Sequence, residues 1–229
     1  MTPEYHSLCK RIARLQRHLL PKLSSTGSYT DAEYDGTRAY IALVHAEIES
    51  FLEKRCKDVA AAAKTRWFVN RSINGIIFSV YTMCYSGWAE LEGDSGLPKL
   101  STKTDVEDRI TSSIQQYTHV VDSNHGIKEK YLKKLLVPLS IRLTDLDPNW
   151  IIEMSNFGGL RGQIVHMSGK TRTPPDPAAT RHLIRTMLLP GLNDLDKRLT
   201  ALVTSIGPLT TRMTLRERVR GAFRLLWCE

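Results

Sequence analysis

Apolar residues along the chain recur mostly three and four positions apart, and sustained strict alternation is hard to find, so the pattern predicts helices rather than strands. Leu8, Ile12, Leu15 and Leu19 form a first stripe that stops at Pro21, and LSSTGSYT after it reads as a loop. Thr30 and Glu33 have the S/T-x-x-E spacing of a capping box, in which each side chain satisfies an amide left open at a helix start. Behind it Ile41, Val44, Ile48, Phe51, Leu52 and Arg55 share one face, and this second helix is expected to reach the alanines at 60–63. The apolar run from Trp67 to Ala89 predicts another, more buried helix.

The stretch 93–103 is a connection, and Thr104 and Glu107 then repeat the capping-box spacing. Val106, Ile110, Ile114 and Tyr117 predict an amphipathic helix that DSNHG (122–126) breaks. KEKYLKKLLVPL opens a short basic helix that Pro138 kinks or ends. Trp150, Ile151 and Met154 begin a helical segment leading into GGLRGQIVHMSGK, where Gly158-Gly159 is expected to turn the backbone tightly. Asp176 and Pro177 read as the N-cap and first position of a further helix. Leu188, Leu192, Leu195, Leu199, Leu202 and Ile206 form a coiled-coil-like seam, read as bundle core ahead of a partner helix. Gly207-Pro208 stops it, and TLRERVRGAFRLLW is a basic amphipathic helix. The expected fold is all-α: one domain over 1–229, an up-and-down bundle with its core over about 30–206, an N-terminal helix (1–22) and a basic C-terminal helix (209–229).

Composition adds little to that picture except sign. The chain has 41% hydrophobic and 24% charged residues, an ordinary globular balance, but a formal net charge of +8. Such a surface gathers polyanions, nucleic acid foremost, although many basic proteins use charge only to stay soluble. Cys9, Cys56, Cys84 and Cys228 are scattered, forming neither a zinc pattern nor a disulfide framework, which implies a reducing, cytoplasmic setting. Ser72–Ala89 carries no charge and has the length of a membrane span, yet its serines, threonine, asparagine and glycines fit a buried core helix better. Phosphate-binding loops, H-E-x-x-H, G-x-S-x-G and G-x-G-x-x-G are absent, and the seven histidines show no zinc-ligand spacing. Metal, nucleotide and triad enzymes therefore lack support.

What remains is Arg161-Gly-Gln-Ile-Val-His166. A guanidinium grips non-bridging phosphate oxygens, an imidazole moves a proton near neutral pH, and RNA supplies its own nucleophile in the 2′-hydroxyl. Spacing alone fits a surface arginine and a packed histidine better. Residues five apart do not share a helix face, so convergence needs a helix end, a distortion or a second subunit.

In context, an R-x4-H motif late in a helical bundle resembles the HEPN family, whose mark is R-x(4–6)-H. Gly162 stands where many members carry asparagine, which makes the neighbouring Gln163 the substitute candidate. LVHAEIESFLEKRC (43–56) is similar to the first core helix of the RiboL-PSP and MAE-type branches, with H-A-x-x-E-x-[FY] at His45, Ala46, Glu49 and Phe51. The stretch from Asn124 through IKEKYLKKLLVPL is similar to the segment that precedes the motif in those branches, and the resemblance covers roughly 35–200.

The resemblance implies an endoribonuclease that needs no metal or cofactor, pairs as a homodimer so that two motifs meet in one basic groove, and acts as a toxin or in defence against phage, with an antitoxin or defence-system protein as a further partner. His166 would be the general acid or base, and Arg161 would stabilise charge on the phosphorane-like transition state. Glu49 would orient one of them, or be a solvated flank residue. Gln163 would donate to phosphate, or face water. Lys128, Lys130, Lys133 and Lys134 would track the RNA backbone, or simply be a solvated helix face. Arg216, Arg218, Arg220 and Arg224 are left between RNA contact, anionic membrane and solubility. Degenerate family members serve as non-catalytic modules that bind a partner protein or nucleic acid, and this is the rival reading. A basic duplex-DNA binder is the third.

Overall fold

The first apolar stripe folds as α1 (Pro3–Leu19), opened by Thr2, whose hydroxyl oxygen accepts from the Tyr5 amide at 3.1 Å. A computed structural model describes residues 1–70, 74–86, 106–166 and 174–205, without the side chains at 70, 84–86 and 166. Among these every regular element is helical, and no helix is long and apolar enough to cross a membrane.

The capping box forms as expected: the Thr30 amide and hydroxyl donate to the Glu33 carboxylate at 2.8 and 2.9 Å, and the Glu33 amide returns a bond to the Thr30 hydroxyl oxygen. It opens α2 (Asp31–Asn70), a rod of 40 residues. The expected break after the alanines does not occur there. Ala60, Ala63 and Trp67 are buried and continue the stripe set by Leu52, Cys56 and Val59, and alanine is the strongest helix former, so nothing stops propagation. Trp67 thus ends the second helix rather than beginning the third. α3 (Gly75–Ser86) opens instead at Asn74, whose side-chain carbonyl accepts from the Ile77 amide at 2.9 Å. Thr104, the second predicted cap, lies outside the described residues, but its helix stands as α4 (Val106–Asp122).

The predicted basic helix is α5 (Glu129–Leu136). Pro138 converts it to a 3-10 turn over Val137–Leu139, which ends at Ser140 in the left-handed region with φ 66°. A second 3-10 turn, Leu143–Asp145, leads to α6 (Pro148–His166). Asp176 caps α7 (Pro177–Leu183), its carboxylate accepting from the Ala178 amide at 2.9 Å.

The leucine seam is not one uninterrupted helix. Ile184–Leu188 form a π-turn before α8 (Leu189–Ser205), with the Leu189 amide donating five residues back to the Ile184 carbonyl. Pro190 has no amide to donate and its ring would strike the carbonyl four residues earlier, so the widened turn removes the conflict. Carbonyls at this turn accept from side chains: Leu188 from the Trp150 indole at 3.2 Å, Leu189 from the Tyr5 hydroxyl at 2.8 Å. Leu188, Leu192, Leu195 and Leu199 are fully buried, so the seam is bundle core; Ile206 and the basic segment with Arg216, Arg218, Arg220 and Arg224 lie outside the described residues.

α2 touches every other described α-helix. Its Arg55 donates through Nε to Asp196 of α8 at 2.8 Å and through a terminal nitrogen to Thr200 at 2.9 Å. Thr2 donates to the same carboxylate from its hydroxyl at 2.8 Å and its amide at 3.2 Å. Asp196 is 0% exposed, so a charge removed from water is fully surrounded by donors that join α1, α2 and α8. Cys9 and Cys56 are free thiols, and burial pushes the Cys56 thiol up to about 12.

Candidate active site

Helical period places His45, Glu49 and Glu53 in one line along α2, each one turn beyond the last. The chain opposite this line is the connection from α4 to α5. There Asn124 donates its amide to Glu53 Oε1 at 3.1 Å and to the Gly126 carbonyl at 3.0 Å. The same connection is clamped to α6, because Ser155 accepts from the Glu129 amide at 2.9 Å.

Gly158 and Gly159 lie inside α6, so the tight turn expected of them is not made. Gly158 serves close approach instead. A Cβ added there would stand 3.0 Å from Lys128 Cγ and 3.4 Å from Ile127 Cγ1. Its lack of a side chain lets the stem of Lys128 lie along α6. One turn further on the same helix stands Arg161, half-buried. Both cations act on His45, which is 2% exposed; burial first, then Arg161 and Lys128, push the imidazole down to about 4, so it is neutral at pH 7.

Glu49 shows the opposite shift. Its carboxyl is raised by burial and by the Glu53 carboxylate, against the pull of Arg161 and His125. Glu49 Oε2 lies 3.7 Å from His45 Nδ1, while Glu49 Oε1, His45 Nδ1 and Asn124 Oδ1 are buried without a hydrogen-bond partner among the described residues. Arg161 makes no hydrogen bond or ion pair among the described residues. The cluster therefore combines a guanidinium uncommitted among the described residues, a raised carboxyl with one unmet oxygen, and two further unmet polar atoms, His45 Nδ1 and Asn124 Oδ1. A phosphate can meet the first, and hydroxyl or amide donors the others.

His166 is the last residue of α6, and its side chain lies outside the described residues. On an ideal helix Arg161 and His166 point about 140° apart. Gln163 is exposed on the next turn from Gly159. Of the four lysines, Lys128 joins the cluster; Lys130 lies over the Tyr131 ring at 4.8 Å, and Lys133 and Lys134 sit in the last turn of α5. Glu49 lies within the electrostatic reach of Arg161. The sequence offers His45 only as part of a pattern, and Asn124 and His125 as part of a helix-breaking stretch that leads into the segment before the motif; the available signal is a histidine interrupting an apolar face four residues before a glutamate. Among the described residues no group of three or more His, Cys, Asp or Glu is placed to hold a metal ion. A cleft of about 330 Å³ between α1 and α2 is lined by Glu4, Glu47, Phe51 and Lys54, on a different face of α2 from the His45–Glu49 line. No protein-family model, no curated protein and no solved structure matches this chain.

Proposed function

We propose that this chain is an endoribonuclease of the HEPN type that works without a metal ion. The observation that carries the reading is the Arg161 guanidinium, which makes no ion pair or hydrogen bond among the described residues although the Glu49 carboxyl lies within its field, beside Lys128 and a histidine held neutral. An arginine kept for structure is normally paired; one left uncommitted among other cations suits an anion from outside. RNA fits that anion, because its 2′-hydroxyl is a nucleophile on the ribose carbon next to the one that bears the scissile phosphate, and no protein nucleophile is needed. In this reading Arg161 holds the non-bridging oxygens and offsets the charge that grows on them, and His166 transfers a proton. Each role is worth about two to four orders of magnitude in rate. Two chains pairing through this face would bring a second motif to the same phosphate, as the HEPN likeness implies, and cellular RNA in the cytoplasm, attacked as a toxin or in phage defence, is the substrate class.

The test incubates purified protein with mixed RNAs in EDTA, beside Arg161→Ala and His166→Ala. Cleavage by the wild type that both variants lose, with unchanged circular dichroism, supports the reading. RNA left intact by the wild type overturns it in favour of a non-catalytic binding module.

A further inference from the structure

We propose that Glu49 is the general base of this site, taking the proton of the attacking 2′-hydroxyl while His166 protonates the leaving 5′-oxygen. The inference rests on the nuclease reading above and assigns the half of the proton traffic which that reading leaves open. In the step, the O2′–H bond breaks and its proton passes to a Glu49 oxygen. The O2′–P bond forms as the P–O5′ bond breaks, and the imidazolium of His166 gives its proton to O5′. The products are a 2′,3′-cyclic phosphate and a 5′-hydroxyl. The enzyme is left with a protonated carboxyl and a neutral imidazole, which exchange protons with water before the next turnover.

One imidazole cannot accept and donate in the same step, so a second group is required. Elimination among the neighbours points to Glu49. His45 is 2% exposed and closed off from a substrate. Glu53 spends Oε1 on the Asn124 amide, and Glu47 spends its own on Arg11 at 2.8 Å. Glu49 is not held in a hydrogen bond among the described residues; its Oε1 is buried, but the side chain as a whole keeps 19% exposure, which leaves Oε2 as the oxygen a substrate can reach, within the field of the arginine proposed to hold the phosphate. The charged and titratable groups that face it are His45 and Glu53 on its own helix, Arg161 on α6, and His125 on the connection before α5. Burial and Glu53 make the carboxylate more basic than a free glutamate, which suits a proton acceptor. His125, exposed on that connection, and the partner's His166, which pairing would bring to the same phosphate, are the rival bases.

The test uses an RNA the protein cleaves and the same RNA with a bridging sulfur in place of the scissile O5′, because a thiolate departs without a proton. His166→Ala is expected to fail on the first and recover on the second. Glu49→Gln is expected to lose about a hundredfold or more on both, and the acid limb of its kcat/KM profile should flatten. Glu49→Asp, which keeps a carboxylate, should retain part of the rate and the limb. Thermal unfolding separates these effects from loss of fold. If Arg161→Ala abolishes cleavage while Glu49→Gln keeps its rate and its limb, or the limb vanishes in His125→Ala instead, or His166→Ala fails on the bridging-sulfur RNA as well, this proposal is overturned and the nuclease reading stands. A wild type that cleaves no RNA overturns both.

Discussion

Lowering the pH should set the buried imidazole of His45 against the fold. Its folded-state value is pushed down to about 4, against 6.5 for a free histidine, by burial and by the cations Arg161 and Lys128. A depressed histidine value means that the unfolded chain takes up a proton before the native one does. Stability from this residue is therefore intact above pH ~6.5 and is lost progressively as pH falls toward ~4. The interval of roughly 2.5 units corresponds to about 3 kcal/mol at ~1.36 kcal/mol per unit, a large share of a typical domain's stability. Glu49 acts in the opposite direction, since its raised carboxyl binds a proton more readily in the native state and so gains stability as pH falls. The measurement must isolate His45 from it. Urea unfolding at pH 7 and pH 4 of the wild type and of His45→Gln does so, because glutamine is neutral at both values, as the native imidazole is at the first. The wild type should lose about 3 kcal/mol more than the variant between the two conditions. Equal losses would show that burial does not keep His45 neutral, and the electrostatic account of the cluster would fall with it.

Other perturbations reach other parts of the molecule. Asp196→Ala leaves the Arg55 guanidinium buried without its carboxylate and should cost about 3–5 kcal/mol, read as a fall in Tm on the order of 10 °C; an unchanged Tm would mean that the carboxylate does not join α1, α2 and α8. Gly191→Ala puts a methyl group into the indole of Trp150, which is 2% exposed and tied to the Leu188 carbonyl, so urea denaturation should register a loss of about 1–3 kcal/mol. Thr30→Ala removes one of the two donors that hold the Glu33 carboxyl below its ordinary range, and NMR titration of Glu33 should move upward.

Elements governed by neighbours in sequence were legible without a structure. The Thr30–Glu33 box and the Asp176–Pro177 start depend on residues within one turn, and the chain formed both as its letters indicate. The π-turn before Pro190 was hidden because leucine spacing continues across it, so the seam reads as regular while the backbone widens. Gly158 shows a different limit. A glycine pair suggests a bend, yet what decides Gly158 is the stem of Lys128, thirty positions away in sequence. The candidate site divides in the same manner: Arg161 and Glu49 stood out by residue type and spacing, whereas Asn124 and His125 enter only because α4 ends where it does and delivers its connection to α2.

The long α2 also restricts how this protein can change over generations. Arg55 must meet Asp196, Lys57 must meet Asp122, and the Ala63 carbonyl must meet Asn74, all from a single unbroken rod. A codon inserted between Arg55 and Lys57 would turn everything beyond it by about 100° and move it by about 1.5 Å. The later partners would then face the wrong way while the earlier ones stayed in place. Along this helix the exposed positions can exchange letters more readily than the rod can change length, and gains or losses of length should collect in the segments between helices.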